Sequence, residues 1–186
     1  SYSALLSYAT TQGYSLPNEQ QQVNQDILLK SLKIAGVWDK LDLFYVFATD
    51  GDSDYATLNY KSPSDFQLLK VNSPTFTTNQ GFKGDASTAK LTTANGGNEY
   101  NMITDAINAS QDSMTTLCYF NDLGVLADYL YGALQTSPTI GYHQGNGAAT
   151  RNNSSSNYSA PSISDSFTGM RRNNSANFDV IDGSSF

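Results

Sequence analysis

The sequence is poor in the residues on which many enzyme centres and metal cages depend. Its 186 residues include one cysteine, Cys118, and one histidine, His143. A single cysteine excludes an intrachain disulfide and a cysteine cage for zinc. Because Cys118 lies in an alternating apolar segment with Met114 and Phe120, we expect a buried structural thiol. A hydrolytic triad would have to use His143, and no GxSxG motif presents a serine nucleophile.

Positive charge is also scarce. The chain has 10 Lys and Arg against 17 Asp and Glu, a net charge of -7, which repels phosphate and argues against a nucleic-acid partner. No apolar run approaches the ~20 residues of a membrane-spanning helix. Phosphate-binding and dinucleotide motifs are missing. Nothing points to a glycosidase pair, because Glu19 lies on the predicted helix, Glu99 lies in a loop and the remaining carboxylates are Asp residues scattered over turns. We therefore expect a protein that is not an enzyme, does not span a membrane and does not bind nucleic acid.

The first 40 residues have a helical pattern. Pro17 stands where a first helical turn tolerates proline, Glu19 follows in that turn, and Gly36 is a typical stop. Apolar residues recur between them at three-and-four spacing, which predicts one amphipathic α-helix: Val23, Ile27, Leu28, Leu32, Ile34 and Ala35. We expect this apolar stripe to pack on the rest of the fold, and the alternative is a surface for a partner helix. Residues 2–14 are either a short helix or a docking segment.

After Trp38 the pattern changes to short aromatic and β-branched runs separated by Gly, Asn, Asp and Ser. Such runs predict an antiparallel β-sandwich or barrel. The runs are LDLFYVFA, YATLNY, FQLLKV, TTLCYF, TIGYH, SFTGMRR and NFDVID. Residues 73–93, SPTFTTNQGFKGDASTAKLTT, predict a strand, a tight turn and a strand. The expected organisation is a helical segment over residues 1–40 and a β-sandwich domain over residues 41–186.

One acidic cluster has the spacing with which a calcium loop begins. Asp50, Asp52 and Asp54 alternate in TDGDSDYAT. The remainder of such a loop is missing, because Tyr55 replaces the required glycine and Lys61 replaces the bidentate glutamate. A solvated turn without a cofactor is the favoured interpretation, and weak calcium binding at the three aspartates is the alternative.

Part of the chain resembles a known family of β-sandwiches. The segment GFKGDASTAKLTT is similar to the strand-entry signature of laminin-G-like, concanavalin-type jelly rolls. The preceding residues, from LKSLKIAGVW to TFTTNQGF, resemble the helix-plus-first-strands module of virion proteins from bacteriophages that infect Bacteroidota. DSMTTLCYF and SFTGMRRNNSANFDVIDGSSF are similar to later strands of the same sandwich. Ala86 departs from the pattern, which usually has glycine there.

The resemblance implies an antiparallel jelly-roll sandwich with an N-terminal amphipathic helix. FDVIDGSSF resembles the first arm of a hairpin, so the sandwich is incomplete at its C-terminal end and we expect the polypeptide to continue or another subunit to supply the closing strand. An open strand edge favours a homo-oligomer, with a trimer as the preferred state. The family has no invariant catalytic residue to transfer to this chain.

The implied function is structural, as a fibre, spike or decoration module exposed on a virion and bound to other virion proteins. High Tyr, Phe, Asn and Ser content also suits lectin-like binding of host surface glycans, since aromatic faces stack on sugar rings. The predicted glycan-binding residues lie in a loop-rich region: Tyr142, His143, Asn146, Arg151 and Tyr158. The alternative is a non-catalytic carbohydrate-binding module of a secreted or cell-surface bacterial protein.

Overall fold

The computed structural model describes residues 1–85 and 88–93 and, in the rest of the chain, seven short strands. The chain divides into two compact units, Ser1–Asn101 and Met102–Phe186. Both N-terminal helices belong to the first unit together with residues that follow position 40. The division into a helical segment and a sandwich domain at residue 40 stays a prediction.

Two α-helices open the first unit, and each has a cap at both ends. Helix α1 spans Tyr2–Gln12. Helix α2 spans Glu19–Ile34, which confirms the amphipathic helix predicted there. Its N-cap is Asn18, whose side chain accepts a hydrogen bond from the Gln21 amide at 2.9 Å. After α2 the chain leaves the helix at Gly36, whose φ of 69° is a left-handed conformation that suits glycine.

One hydrophobic core joins both helices to the segment that follows them. Leu5 of α1 is fully buried, and Leu29 of α2 is 2% exposed. They pack with Tyr55 and Leu58, which are also fully buried. The core therefore fixes residues 55–60 against the two helices, although these residues are separated from α2 by more than twenty positions.

The apolar stripe predicted for α2 does not pack in this core, so that expectation is wrong. Val23 is 52% exposed, Ile27 55% and Ile34 89%. The helix instead buries Leu29 and a polar residue, Gln25. The reason is that Gln25 finds hydrogen-bonding partners inside the unit, and a helix that inserts Gln25 and Leu29 turns the stripe outwards.

Short antiparallel sheets complete the described part of the first unit. Its strands are β1 (Leu69–Val71), β2 (Thr75–Thr77), β3 (Gly81–Lys83) and β4 (Lys90–Thr92). Strands β2 and β3 form a hairpin in which Phe76 is opposite Phe82. The strands expected at the two alternating segments of residues 73–93 are present as β2 and β4, but the single tight turn expected between them is wrong, because β3 lies there and pairs with β2. Strand β4 pairs antiparallel with β1.

Two segments predicted as strands have another structure. Residues 41–48 contain no strand, and residues 55–60 begin with a single 3-10 turn, Tyr55–Thr57. The Tyr60 amide donates to the Phe44 carbonyl at 2.8 Å, but the Phe44 amide donates to the Asn59 side chain at 3.2 Å. The Asn59 side chain thus takes the place of a second backbone partner for Phe44, and no regular ladder of backbone hydrogen bonds forms between the two segments.

The second unit is described through its strands. They are β5 (Met114–Tyr119), β6 (Tyr129–Gly132), β7 (Tyr142–Gln144), β8 (Ala149–Thr150), β9 (Tyr158–Ser159), β10 (Phe167–Arg172) and β11 (Phe178–Ile181). Strand β10 pairs antiparallel with both β5 and β11 in a three-stranded sheet. Strands β6 and β7 form a second sheet, and β8 and β9 a third. No sheet closes into a barrel within the described residues, and the jelly roll stays a prediction.

Neither of the described helices combines the length and apolar character needed to cross a membrane.

Candidate functional site

The acidic turn Asp50–Asp54 is built from carboxylates with separate structural partners. The Asp52 carboxylate accepts hydrogen bonds from three backbone amides, those of Ser15 at 2.6 Å, Asp54 at 3.0 Å and Tyr55 at 2.7 Å. These bonds begin the 3-10 turn and attach it to the connection between the two helices. Gly51 allows this close approach, because a Cβ there would lie 2.9 Å from the Ser15 carbonyl oxygen.

The other two carboxylates of the turn contact different parts of the unit. Asp50 accepts hydrogen bonds from the backbone and the side-chain amide of Asn18, the N-cap of α2. Asp54 forms an ion pair with Lys70 of β1 at 2.9 Å. Each carboxylate thus binds a different element of the fold.

These contacts give the turn a structural role, which the sequence interpretation as a solvated turn did not include. Among the residues that the structure describes, no group of three or more His, Cys, Asp or Glu side chains is arranged to hold a metal ion. Calcium binding at Asp50, Asp52 and Asp54 stays the alternative prediction, and its test is given in the Discussion.

A buried polar cluster lies where the two helices meet residues 55–60. Three tyrosine hydroxyls donate to Oε1 of Gln25: Tyr2 at 2.8 Å, Tyr55 at 2.9 Å and Tyr60 at 3.0 Å. The hydroxyls of Tyr2 and Tyr55 are also 3.2 Å apart. We call these four residues the tyrosine–glutamine cluster. Gln25 is 4% exposed, so this amide is desolvated and depends on these partners.

The cluster keeps its hydroxyls protonated. Burial raises the pKa of Tyr2, Tyr55 and Tyr60 well above the usual value of a tyrosine. The main cause is desolvation, since a phenolate loses more hydration than a phenol when it is buried. These tyrosines therefore act as hydrogen-bond donors at neutral pH. None is poised as a base or a nucleophile.

A second amide, Gln21, connects this helix to the acidic turn. Its Oε1 accepts from the Thr49 hydroxyl and from the Asp50 amide, each at 2.7 Å. Thr49 is fully buried, and its hydroxyl in turn accepts from the Gly51 amide at 3.1 Å. Gln25 thus binds the buried tyrosines, and Gln21, one helical turn away, binds the acidic turn. These polar contacts of α2 are therefore structural.

An aromatic surface forms beside the β2–β3 hairpin. The rings of Tyr45 and Phe47 are stacked with centroids 6.0 Å apart, and Phe47 meets Phe82 edge-on at 5.9 Å. Phe76 lies 5.0 Å from Phe82. We call these four half-buried residues the aromatic strip. Together they present apolar ring area at the surface of the first unit, a kind of surface that binds sugar rings or other apolar groups.

Comparisons of the chain with protein-family models, curated proteins and solved structures found no match. The interpretation of its surfaces therefore depends on the geometry of this chain and on the resemblance noted in its sequence.

The predicted glycan-binding residues are distributed over the second unit. Tyr142 and His143 lie on β7, and Tyr158 lies on β9 opposite Thr150 of β8. Strand β7 also contacts β8, so the two strands that carry these three residues each lie next to β8. Asn146 and Arg151 lie outside the described residues.

Cys118 lies on β5 as a half-buried free thiol. Desolvation raises its pKa to about 12, so the group is a neutral thiol at physiological pH. This state agrees with a structural role and not with a reactive nucleophile.

Sequence reasoning did not find the tyrosine–glutamine cluster. Gln25 stands in a polar stretch of α2, and its four-residue spacing from Leu29 is the only signal that it shares the buried face. The tyrosines are distributed over positions 2–60 and resemble ordinary core aromatics.

Proposed function

We propose that this chain is a non-enzymatic structural module of a bacteriophage virion, a fibre, spike or decoration protein, with lectin-like binding of host surface glycans. Its expected architecture is an antiparallel jelly-roll sandwich together with the N-terminal helices. The resemblance of GFKGDASTAKLTT and of the preceding segment to virion jelly-roll proteins is the basis of the proposal. The expected location is the exposed surface of the particle.

The observation that carries the glycan-binding part is the grouping of β7, β8 and β9. Tyr142 and His143 occupy β7 and Tyr158 occupies β9, with β8 next to both strands. Two aromatic residues and an imidazole on strands that each contact β8 provide the groups with which proteins stack on and hydrogen-bond to sugars. The acidic net charge of -7 favours a neutral glycan over a sulfated or phosphorylated one.

The pairing of β11 supports the proposed homo-oligomer. In the described part of the chain, β11 and β5 are the outer strands of the three-stranded sheet. An outer strand offers unpaired backbone groups that a neighbouring copy or another virion protein can bind. We therefore propose that this edge is covered in the assembled particle, with a trimer as the preferred state.

A double variant tests the glycan site. We expect Tyr142→Ala with Tyr158→Ala to weaken binding to glycan arrays and adsorption to host cells by at least about tenfold, because each ring contributes on the order of 1 kcal/mol of stacking. The thermal midpoint should change little if the rings face a ligand. Unchanged binding by the folded double variant would contradict the proposed site.

The matched control removes two aromatic rings from the aromatic strip, Tyr45→Ala with Phe47→Ala. We expect this control to bind glycans as the wild type does. If it alone loses binding, the sugar site lies in the first unit. If the full-length protein does not co-purify with phage particles but with a secreted bacterial enzyme, the virion assignment is wrong and the carbohydrate-binding-module alternative applies.

A further inference from the structure

The outward face of α2 has the pattern of a helix that pairs with another helix. Val23, Ile27 and Ile34 recur at spacings of four and seven residues, and each is more than half exposed. With Gln20 and Lys30 added, the five residues form a heptad series and occupy its a and d positions, which form the contact seam between two paired helices. The core of the first unit uses the opposite side of α2, where Gln25 and Leu29 are buried. We call the exposed series the outer seam: Gln20, Val23, Ile27, Lys30 and Ile34.

We propose that the outer seam binds the same face of a second copy of this chain, with the two α2 helices antiparallel. A twofold axis that passes between positions 28 and 29 places Val23 of one copy opposite Ile34 of the other. It also places Ile27 opposite Lys30. The same surface is used by both copies, which is the isologous arrangement of a closed dimer.

The distribution of charge along α2 selects the antiparallel orientation. Asp26 and Lys33 lie on one edge of the outer seam, with Glu19 on the same edge in the first turn. Asn24 and Ser31 occupy the other edge and carry no charge. The acidic residues of the charged edge are in the N-terminal half of the helix, and Lys33 is in the last turn.

In an antiparallel pair, each edge of the seam faces the same edge of the other copy. The twofold axis then brings Asp26 of one copy towards Lys33 of the other, twice in the dimer. Asn24 meets Ser31 on the uncharged edge. A parallel pair would place the charged edge against the uncharged edge, so that Asp26 would keep only its ion pair with Lys30 and Lys33 only its contact with the Trp38 ring, and its helix dipoles would be aligned. Charge complementarity therefore favours a second copy in the antiparallel orientation.

Lys30 limits the strength of this interface. It occupies the seam between Ile27 and Ile34, its side chain is 68% exposed, and it forms an ion pair with Asp26 at 2.5 Å. In the dimer its aliphatic stem covers Ile27 of the other copy while the ammonium group stays at the rim. A polar residue at a seam position specifies register at a cost in stability. We expect a weak, concentration-dependent dimer in dilute solution. The trimer proposed for the assembled particle is a separate contact, because it uses the edge of the three-stranded sheet in the second unit.

Sedimentation of the full chain as a function of concentration tests the apolar part of the seam. Ile34→Lys should weaken association at least about tenfold, because a charge replaces the side chain that covers Val23 of the other copy. Lys30→Leu should strengthen association at least about tenfold, because both central layers become apolar. Leu28→Lys is the matched control, since Leu28 is 39% exposed on the same helix but lies off the seam. It should associate as the wild type does.

A charge exchange tests the orientation. Asp26→Lys alone sets two ammonium groups against each other at both contacts between the copies, and Lys33→Asp alone sets two carboxylates against each other there. Each variant should therefore associate less than the wild type. An equimolar mixture of the two variants restores opposite charges at both contacts only in the antiparallel pair. We expect the mixture to associate like the wild type.

Several results would overturn the inference. They are a monomer at all concentrations for wild type and Lys30→Leu, an equal loss of association with Leu28→Lys, and a charge-exchange mixture that stays as weak as its components. A monomer in which Ile34→Lys lowers the thermal midpoint would show that the seam is covered by the same chain. The inference does not depend on the proposed virion function, because glycan binding is not measured in these experiments.

Discussion

At the scale of single residues, Gln25 is the most consequential polar side chain of the first unit. Its Oε1 accepts from three tyrosine hydroxyls, and the residue is 4% exposed. A buried amide that satisfies several donors specifies one arrangement of its neighbours, because any other arrangement leaves polar groups unpaired. In this unit it determines that α2 inserts Gln25 and Leu29, and thereby which apolar residues remain outside.

We predict that Gln25→Leu destabilises the protein by roughly 2–4 kcal/mol, although leucine is the more apolar residue. The reason is that three buried hydroxyls lose their acceptor, and each unsatisfied buried group costs about 1–3 kcal/mol. The hydroxyls of Tyr2 and Tyr55 recover part of this loss through their mutual contact at 3.2 Å. Urea unfolding measures the change in the free energy of unfolding.

Gln12→Leu is the matched control, since Gln12 is an exposed glutamine at the end of α1. We expect a change within about 0.5 kcal/mol. If Gln25→Leu were as stable as this control, the hydroxyls would have other partners and the cluster would not specify the packing of α2.

At the scale of elements, variants of the acidic turn can distinguish a structural role of its carboxylates from calcium binding. Asp52→Ala removes the acceptor of three backbone amides, so we predict a loss of roughly 2–4 kcal/mol in the free energy of unfolding. Asp54→Ala removes one partly exposed ion pair with Lys70 and should cost about 1 kcal/mol or less.

Thermal melting with and without calcium checks this prediction. We expect calcium to leave the melting temperature of the wild type unchanged. The difference in melting temperature between Asp52→Ala and Asp54→Ala should also be the same with and without calcium. A calcium-dependent rise that Asp50→Ala, Asp52→Ala and Asp54→Ala each abolish would establish the alternative, a metal site shared by the three carboxylates.

Helix α2 was predictable from sequence because its signals are local. Pro17 and Glu19 mark its start and Gly36 its end, and these residues act through backbone geometry and charge that depend on near neighbours. The face that α2 buries was not predictable, since its apolar pattern favours Ile27 and Ile34 over Gln25. Hydrogen bonds to tyrosines distant in sequence decide the choice, and a helical pattern contains no information about them.

Strand predictions succeeded for several alternating runs. The runs TTLCYF, SFTGMRR and NFDVID form β5, β10 and β11, and the alternating residues Thr75–Thr77 and Lys90–Thr92 form β2 and β4. Residues 41–48 have an equally strong β-pattern but pack as irregular chain, because the Asn59 side chain takes the place of a backbone partner for Phe44. The glycan-binding site stays a prediction, and three of its residues lie on β7 and β9, strands that each contact β8.

At the scale of the whole molecule, the buried tyrosines make the free energy of unfolding depend on pH in the alkaline range. The pKa of Tyr2, Tyr55 and Tyr60 is raised in the folded state, while an exposed tyrosine in the unfolded chain ionises near pH 10. The unfolded state therefore releases protons first as the pH rises. Their contribution to stability is fully present below pH ~10 and is lost above it, by up to about 4 kcal/mol per pH unit for three groups.

We predict cooperative unfolding of the first unit above pH ~10, in which these tyrosines ionise together with the loss of helical circular dichroism. Tyrosinate absorbance should show the exposed tyrosines titrating first and a later group titrating with unfolding. Tyr60→Phe removes one of the ionising groups and should reduce the pH dependence by about a third. A single smooth titration, with helix retained throughout, would contradict the prediction.

The division of the chain predicts that residues 1–101 fold without the remainder. Within the described residues, the buried cluster consists of side chains from Tyr2 to Tyr60, all of them in the first unit. The same unit contains the tyrosine–glutamine cluster and the acidic turn, so the polar groups of these two features find hydrogen-bonding partners within the unit. We expect the fragment to show helical circular dichroism and a cooperative thermal transition within about 10 °C of the corresponding transition in the full chain.

Leu29→Ala in the fragment should cost roughly 2–5 kcal/mol by leaving a cavity and should abolish that transition. A fragment without a cooperative transition, or one insensitive to Leu29→Ala, would show that the core needs residues 102–186.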